Sequence, residues 1–153
     1  MSLMIESNSA KQTEEIGQKL ATILEPGDII ALTGELGAGK TVLTKGIAKG
    51  LEVKETITSP TFTIIREYQG RLPLFHFDVY RIESPQLEEL GYEEYFFSDG
   101  VSIIEWSERI ADKLPKNYLE VAIDYGSKEN ERKLDFIAHG KWEKRIWQLE
   151  KMF

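Results

Sequence analysis

The sequence predicts an α/β fold, a mixed and partly parallel sheet flanked by helices with a β-hairpin inserted into it. Three observations predict this. The runs Ile29-Ile30-Ala31-Leu32 and Val101-Ser102-Ile103-Ile104 are apolar on both faces, as strands covered on two sides are. Stretches with apolar residues at helical spacing alternate with them. Two β-rich runs flank Gln69-Gly70-Arg71, the pattern of a hairpin.

The elements follow in chain order. Residues 10–24 read as a helix, with Ile16, Leu20, Ile23 and Leu24 on one face and Thr13, Glu14 and Glu15 in the first turn. Pro26-Gly27 closes it, and residues 28–33 form a buried strand. Residues 34–39 are a loop. Residues 40–51 form a helix whose apolar face is Val42, Leu43, Ile47 and Leu51. After a break at Ser59-Pro60, residues 61–68 and 72–80 pair as the hairpin. Ser84 and Pro85 open a short helix, Pro at the first helical position having no N–H to waste. Residues 101–106 are a third apolar strand, 107–114 a helix, and 119–125 and 133–138 two further strands. Residues 141–153 read as one amphipathic helix with Trp142, Ile146, Leu149 and Phe153 on one side. No repeat, linker or low-complexity tract interrupts residues 1–153, so a single domain is expected. Met1-Ser2-Leu3 ahead of Met4 reads as a remnant of cloning.

Composition excludes several function classes. The chain of 153 residues has no cysteine and two histidines, which rules out disulfide, thiolate-metal and His-rich sites and suits a cytoplasmic location. It has no membrane-spanning run and no signal-peptide profile. The net charge of −7 makes it a poor direct binder of nucleic acid, whose affinity comes mainly from phosphate contacts. Neither DNA nor a membrane is expected as a partner, and RNA only through another protein.

The chemistry is concentrated in Gly34-Glu35-Leu36-Gly37-Ala38-Gly39-Lys40-Thr41, a complete Walker A pattern between a buried strand and a helix. It makes the fold P-loop NTPase-like. The glycines let backbone N–H groups of residues 35–39 turn onto phosphate oxygens, and the helix N-terminus favours anions. Lys40 brings a cation to the terminal phosphates, and the Thr41 hydroxyl suits Mg²⁺. A second requirement is an acid for the metal at the end of another strand, and Glu105 sits there, with a helix cap as its alternative role. Asp78, between Phe77 and Val79, is a candidate for hydrolysis, with pairing to Arg81 as the alternative. Thr61 is either a nucleotide-sensing loop residue or a plain strand residue. Trp106 either shapes the pocket or packs in the core. No Asn-Lys-x-Asp base-reading motif is present, which favours adenine. On the motifs alone a small-molecule kinase and a regulatory ATPase both remain, although no arginine cluster marks a kinase lid, and a module that binds nucleotide without hydrolysis ranks behind them.

Four blocks together resemble the TsaE family, formerly called YjeE: residues 34–41, Ser59-Pro60-Thr61-Phe62-Thr63, Phe75-His76-Phe77-Asp78-Val79-Tyr80-Arg81 and Ile104-Glu105-Trp106. The resemblance runs from about Ile16 to about Ile137. It implies a cytoplasmic, Mg²⁺-dependent ATPase that serves formation of N6-threonylcarbamoyladenosine at tRNA position 37. It also implies two protein partners, TsaB and TsaD, the second of which carries the transferase site. By position, Lys40 holds phosphates, Thr41 and Glu105 ligate Mg²⁺, Asp78 acts in hydrolysis, and Thr61 belongs to a switch-like loop. Thr13, at the start of the first helix, and Arg132 are the candidates for the adenine end, with a solvated turn charge as the alternative for Arg132.

Overall fold

The computed structural model describes residues 1–35, 37–58, 65–80, 82 and 84–153. The described residues form a seven-stranded sheet with helices on both faces. In chain order the elements are β1 (Ser2–Ser7), α1 (Ala10–Ala21), β2 (Ile29–Gly34), α2 (Lys40–Gly50), β3 (Ile65–Tyr68), β4 (Leu74–Asp78), α3 (Ser84–Glu89), α4 (Tyr92–Phe96) and β5 (Val101–Glu105). A 3-10 segment, Ser107–Lys113, leads to β6 (Tyr118–Tyr125) and β7 (Arg132–His139). A second, Gly140–Lys144, precedes α5 (Ile146–Glu150).

The strand order is β1-β7-β6-β2-β5-β4-β3. β2 runs parallel to both β5 and β6, and β4 parallel to β5, while β1–β7, β6–β7 and β3–β4 are antiparallel. The sheet is therefore mixed and partly parallel, as expected, and the β3–β4 hairpin forms one end of it. Successive side chains of a strand point to opposite faces, so the doubly apolar runs feed two cores. Ile30, Leu32, Val101 and Ile103 join α1, α2, Trp142, Ile146 and Leu149 on one side. Ile29, Ile104 and Phe77 join Leu87, Tyr92, Phe96 and Ile110 on the other.

α1 and α2 pack at glycines. A Cβ at Gly46 would lie 2.1 Å from the backbone oxygen of Glu14, so only glycine permits this approach. Ser9 caps α1 by accepting from the Gln12 N–H at 3.1 Å.

Several elements differ from the sequence reading. Ser2–Ser7 is a strand on β7, where the sequence suggested none; its outward residues are exposed, so it lacks the hydrophobic run that marks a strand. α4 was likewise unforeseen. The expected 141–153 helix is broken at Arg145, whose side chain is drawn to Asp28. Trp142, Ile146 and Leu149 are buried as expected, but Phe153 is exposed beneath the Lys19 ammonium. The 107–114 segment is 3-10 rather than α-helical, with Ile110 at φ −128°. Of the first hairpin strand, residues 61–64 lie outside the described residues. No described helix is long and apolar enough to cross a membrane.

Candidate functional site

The carboxyl ends of three parallel strands, β2, β4 and β5, meet at one edge of the sheet, where open α/β sheets bind their ligands. Register brings the functional groups level there. Asp78 is paired with Glu105 across β4 and β5, and Glu105 with Leu32 of β2, two residues before Gly34. Gly34 has φ +142°, and a Cβ on it would lie 2.4 Å from the Ile123 oxygen. Gly39, at φ +115°, is the N-cap of α2 and contributes no side chain to cap it. The first-turn N–H groups of α2 are thus left for a ligand, and the helix dipole favours an anion there.

A cleft of about 230 Å³ is lined by Gly37, Gly39, Lys40, Thr41, Val42, Asp78, Glu105 and Trp106. Lys40 donates to the carbonyl oxygens of Gly34 at 2.6 Å and Glu35 at 2.9 Å. Its ammonium also lies 3.9 Å from the centroid of the Trp106 ring. Burial lowers the Lys40 pKa from its ordinary 10.5, against the opposing charges of Glu105, Glu108 and Asp78. Thr41 Oγ1 donates to Glu105 Oε1 at 3.3 Å. The other carboxylate oxygen of Glu105 is bonded to His76 Nε2. Asp78 Oδ1 accepts the Tyr80 N–H at 3.0 Å in a local turn, and Asp78 lines the cleft. Trp106 adopts φ +64°, an uncommon conformation for a bulky residue, and packs at a tilt of 45° against Tyr80 with ring centroids 4.6 Å apart.

The structure brings Lys40, Thr41, Asp78, Glu105 and Trp106 together in one cleft. Glu105 does not cap the following segment, whose N-cap is Trp106 with no side-chain bond. A second cavity, of about 110 Å³, opens on the other side of the loop between Ala10, Thr13, Gly37, Ala38, Gly39, Val42, Asn130 and Arg132. Thr13 and Arg132 therefore share one pocket. The Thr13 hydroxyl is already engaged by Ser7 Oγ at 2.7 Å, and Arg132 donates to the carbonyls of Ala38, Glu129 and Glu131. Glu35 contributes its carbonyl while its side chain is exposed. Leu36, Thr61 and Arg81 lie outside the described residues. His76, Tyr80 and Asn130 had no expected site role, and Val42 was expected only on the apolar face of its helix. A histidine inside the apolar run of β4 was the one available signal.

Among the described residues no group of three or more His, Cys, Asp or Glu side chains assembles a metal cage. A hydroxyl and a carboxylate beside an anion site suit Mg²⁺, which keeps several waters and relies on phosphate oxygens for the rest.

Residues 7–134 match the family model described as "Threonylcarbamoyl adenosine biosynthesis protein TsaE". The chain belongs to the TsaE family. A TsaE protein of Bacillus subtilis, described as a tRNA threonylcarbamoyladenosine biosynthesis protein, is 45% identical over 131 residues, 85% of this chain and 82% of that one. A TsaE protein of Treponema pallidum is 43% identical over 118 residues, 76% of this chain and 87% of that one. The crystal structure of Bacillus subtilis YdiB superposes with a TM-score of 0.84 at 38% identity, covering 99% of this chain and 96% of that one. The α/β sheet is thus shared with a solved structure over nearly the whole chain.

Proposed function

We propose that this TsaE-family chain binds Mg·ATP in the Lys40–Thr41–Glu105 cleft and hydrolyses it in support of tRNA threonylcarbamoyladenosine formation, acting on a TsaB–TsaD complex in the cytoplasm. The observation that carries the nucleotide reading is the convergence of Lys40, Thr41, Asp78 and Glu105 on one cleft at the carboxyl edge of parallel strands, beside an uncapped helix N-terminus. The pathway rests on the family and its named relatives. Net charge of −7 supports a role at RNA through partner proteins, and the lack of cysteine fits a reducing compartment.

Phosphate oxygens would replace the Gly34 and Glu35 carbonyls as acceptors for Lys40. Thr41 and Glu105 are the residues that would hold Mg²⁺, which supplies charge neutralisation on the phosphates. Asp78 would act in hydrolysis, either by orienting the attacking water or through the metal. As the water oxygen bonds to the γ-phosphorus, the bond to the β–γ bridging oxygen breaks, giving ADP and phosphate. Turnover of the isolated chain should be slow, with a partner completing charge stabilisation on the transferred phosphate.

The deciding experiment is multiple-turnover tRNA modification by purified TsaB and TsaD with the activated threonylcarbamoyl donor and ATP. Modification beyond one round only when this chain is present supports the reading. No dependence on the chain overturns the pathway assignment, and ADP formation that needs an added acceptor and releases no free phosphate would point to a kinase.

A further inference from the structure

Glu105 is 3% exposed at the end of a strand buried throughout its length, so both carboxylate oxygens need partners. They receive unequal ones. Oε1 takes the Thr41 hydroxyl at 3.3 Å, a long bond at the cleft wall. Oε2 takes His76 Nε2 in the interior.

His76 is fully buried and comes from the same strand as Asp78, two residues earlier and on the same face. It is level with Ile103, as Asp78 is level with Glu105, so the imidazole lies one strand pleat beneath the cleft. Its strand neighbours Phe75 and Phe77 point to the opposite face. There they pack edge-on against Tyr95, at 5.1 and 5.7 Å between centroids, and Phe77 also meets Phe96 at 5.4 Å. These rings pin β4, leaving the imidazole little freedom to turn away. Among the described residues His76 Nδ1 has no hydrogen-bond partner, although it is buried. A bare Nδ1 lone pair is less costly to bury than an unpaired N–H, so Nε2 is the nitrogen that carries the proton and donates to Glu105.

We propose that His76 is a positioning residue: by holding Glu105 Oε2, it leaves only Oε1 facing Thr41 and the metal position. The proposal rests on the Mg·ATP reading above and deepens it. A ligand carboxylate with an oriented outer partner presents one oxygen in one direction, and loss of such a partner commonly weakens metal binding by roughly 10–100-fold. Phosphate contacts made by Lys40 and the loop do not pass through His76, so nucleotide affinity without metal should be independent of it.

The test compares His76→Gln with His76→Asn. Both put an amide in the same buried place, but only the Gln amide reaches as far as Nε2 does. Equilibrium binding of a fluorescent, non-hydrolysable ATP analogue is measured with no metal and through a Mg²⁺ titration, beside the melting temperature of each variant. Expected is an approximately tenfold or larger rise in half-saturating Mg²⁺ for His76→Asn, near-normal Mg²⁺ dependence for His76→Gln, and unchanged metal-free affinity for both. Equal shifts in both variants, or no shift in His76→Asn, overturn the proposal while leaving the nucleotide site intact. Failure of the unsubstituted chain to bind the analogue with Mg²⁺ overturns the site reading itself. Should His76→Asn not fold, the unsubstituted chain decides. Its two histidines are resolved by ¹⁵N–¹H NMR. A protonated Nε2 on His76 whose signal moves when Mg²⁺ joins the analogue complex supports the proposal, and an unmoved signal rejects it.

Discussion

Lys40 is held in the free protein by its own loop. Two of its three N–H donors go to the Gly34 and Glu35 carbonyls, and the ammonium rests on the Trp106 ring. Burial lowers its pKa below 10.5. The sign of the consequence is opposite for stability and for binding. The folded value lies below the unfolded one, so the cost of burying the charge is fully present at low pH. That cost is relieved as pH rises from the lowered value towards 10.5. Phosphate binding needs the charged form and should weaken over that same alkaline window. Nucleotide titrations across alkaline pH, with Lys40→Met as the reference for stability, should show the two trends diverging. Lys40→Ala should abolish most nucleotide affinity; binding as tight as in the unsubstituted chain would remove this cleft from consideration. Glu105→Ala should retain binding and lose turnover by about 10²–10³-fold, the loss typical when a group that stabilises developing charge is removed. Unchanged phosphate release by that variant would reduce Glu105 to a structural acid.

At the scale of elements, the position of the loop depends on how closely α1 approaches α2. The Glu14 oxygen sits where a Gly46 side chain would be, and Gly17 meets the Leu43 oxygen in the same way, 2.6 Å from its own Cβ position. Gly46→Ala should therefore force the helices apart and cost about 1–3 kcal/mol, as overpacking does, seen as a lower midpoint in urea. α1 carries Thr13 and α2 begins at Lys40, so the second cavity should widen in the same variant. These elements were legible because their signals are local. The strand, glycine loop and helix of residues 29–50 announce themselves by apolar runs and a motif, and Asp78 and Glu105 stand out as acids in apolar strands. The N-terminal strand was not legible, because β1 lies at the sheet edge with alternate residues exposed. The break in the last helix was hidden too, since the residue at the break, Arg145, pairs with Asp28, 117 residues away. His76 was visible as a residue but not as a partner of Glu105, which depends on strand register.

For the molecule as a whole, the Arg145–Asp28 pair and the cleft occupy opposite ends of β2. Arg145 donates to both oxygens of Asp28, at 2.7 and 2.8 Å, and to the Ile23 carbonyl at 2.9 Å, with its guanidinium 3.9 Å from the Trp142 ring centroid. Asp28 stands just before β2, whereas the phosphate loop leaves its other end. Removing one partner of a buried pair strands the other, and Arg145→Ala should cost about 2–4 kcal/mol, given that the pair is partly open to solvent. In a domain of this size that is a fall of about 5–15 °C in melting temperature. Mg·ATP at 100 times its dissociation constant should add about 2.7 kcal/mol to the stability of any variant that still binds it. Melting curves with and without Mg·ATP should therefore show the same ligand-induced rise in Arg145→Ala as in the unsubstituted chain, from a lower starting point. In Lys40→Ala the rise should vanish. A ligand effect that shrinks in Arg145→Ala would mean that the two ends of the sheet are energetically coupled, and that the last helix reaches the nucleotide site through β2.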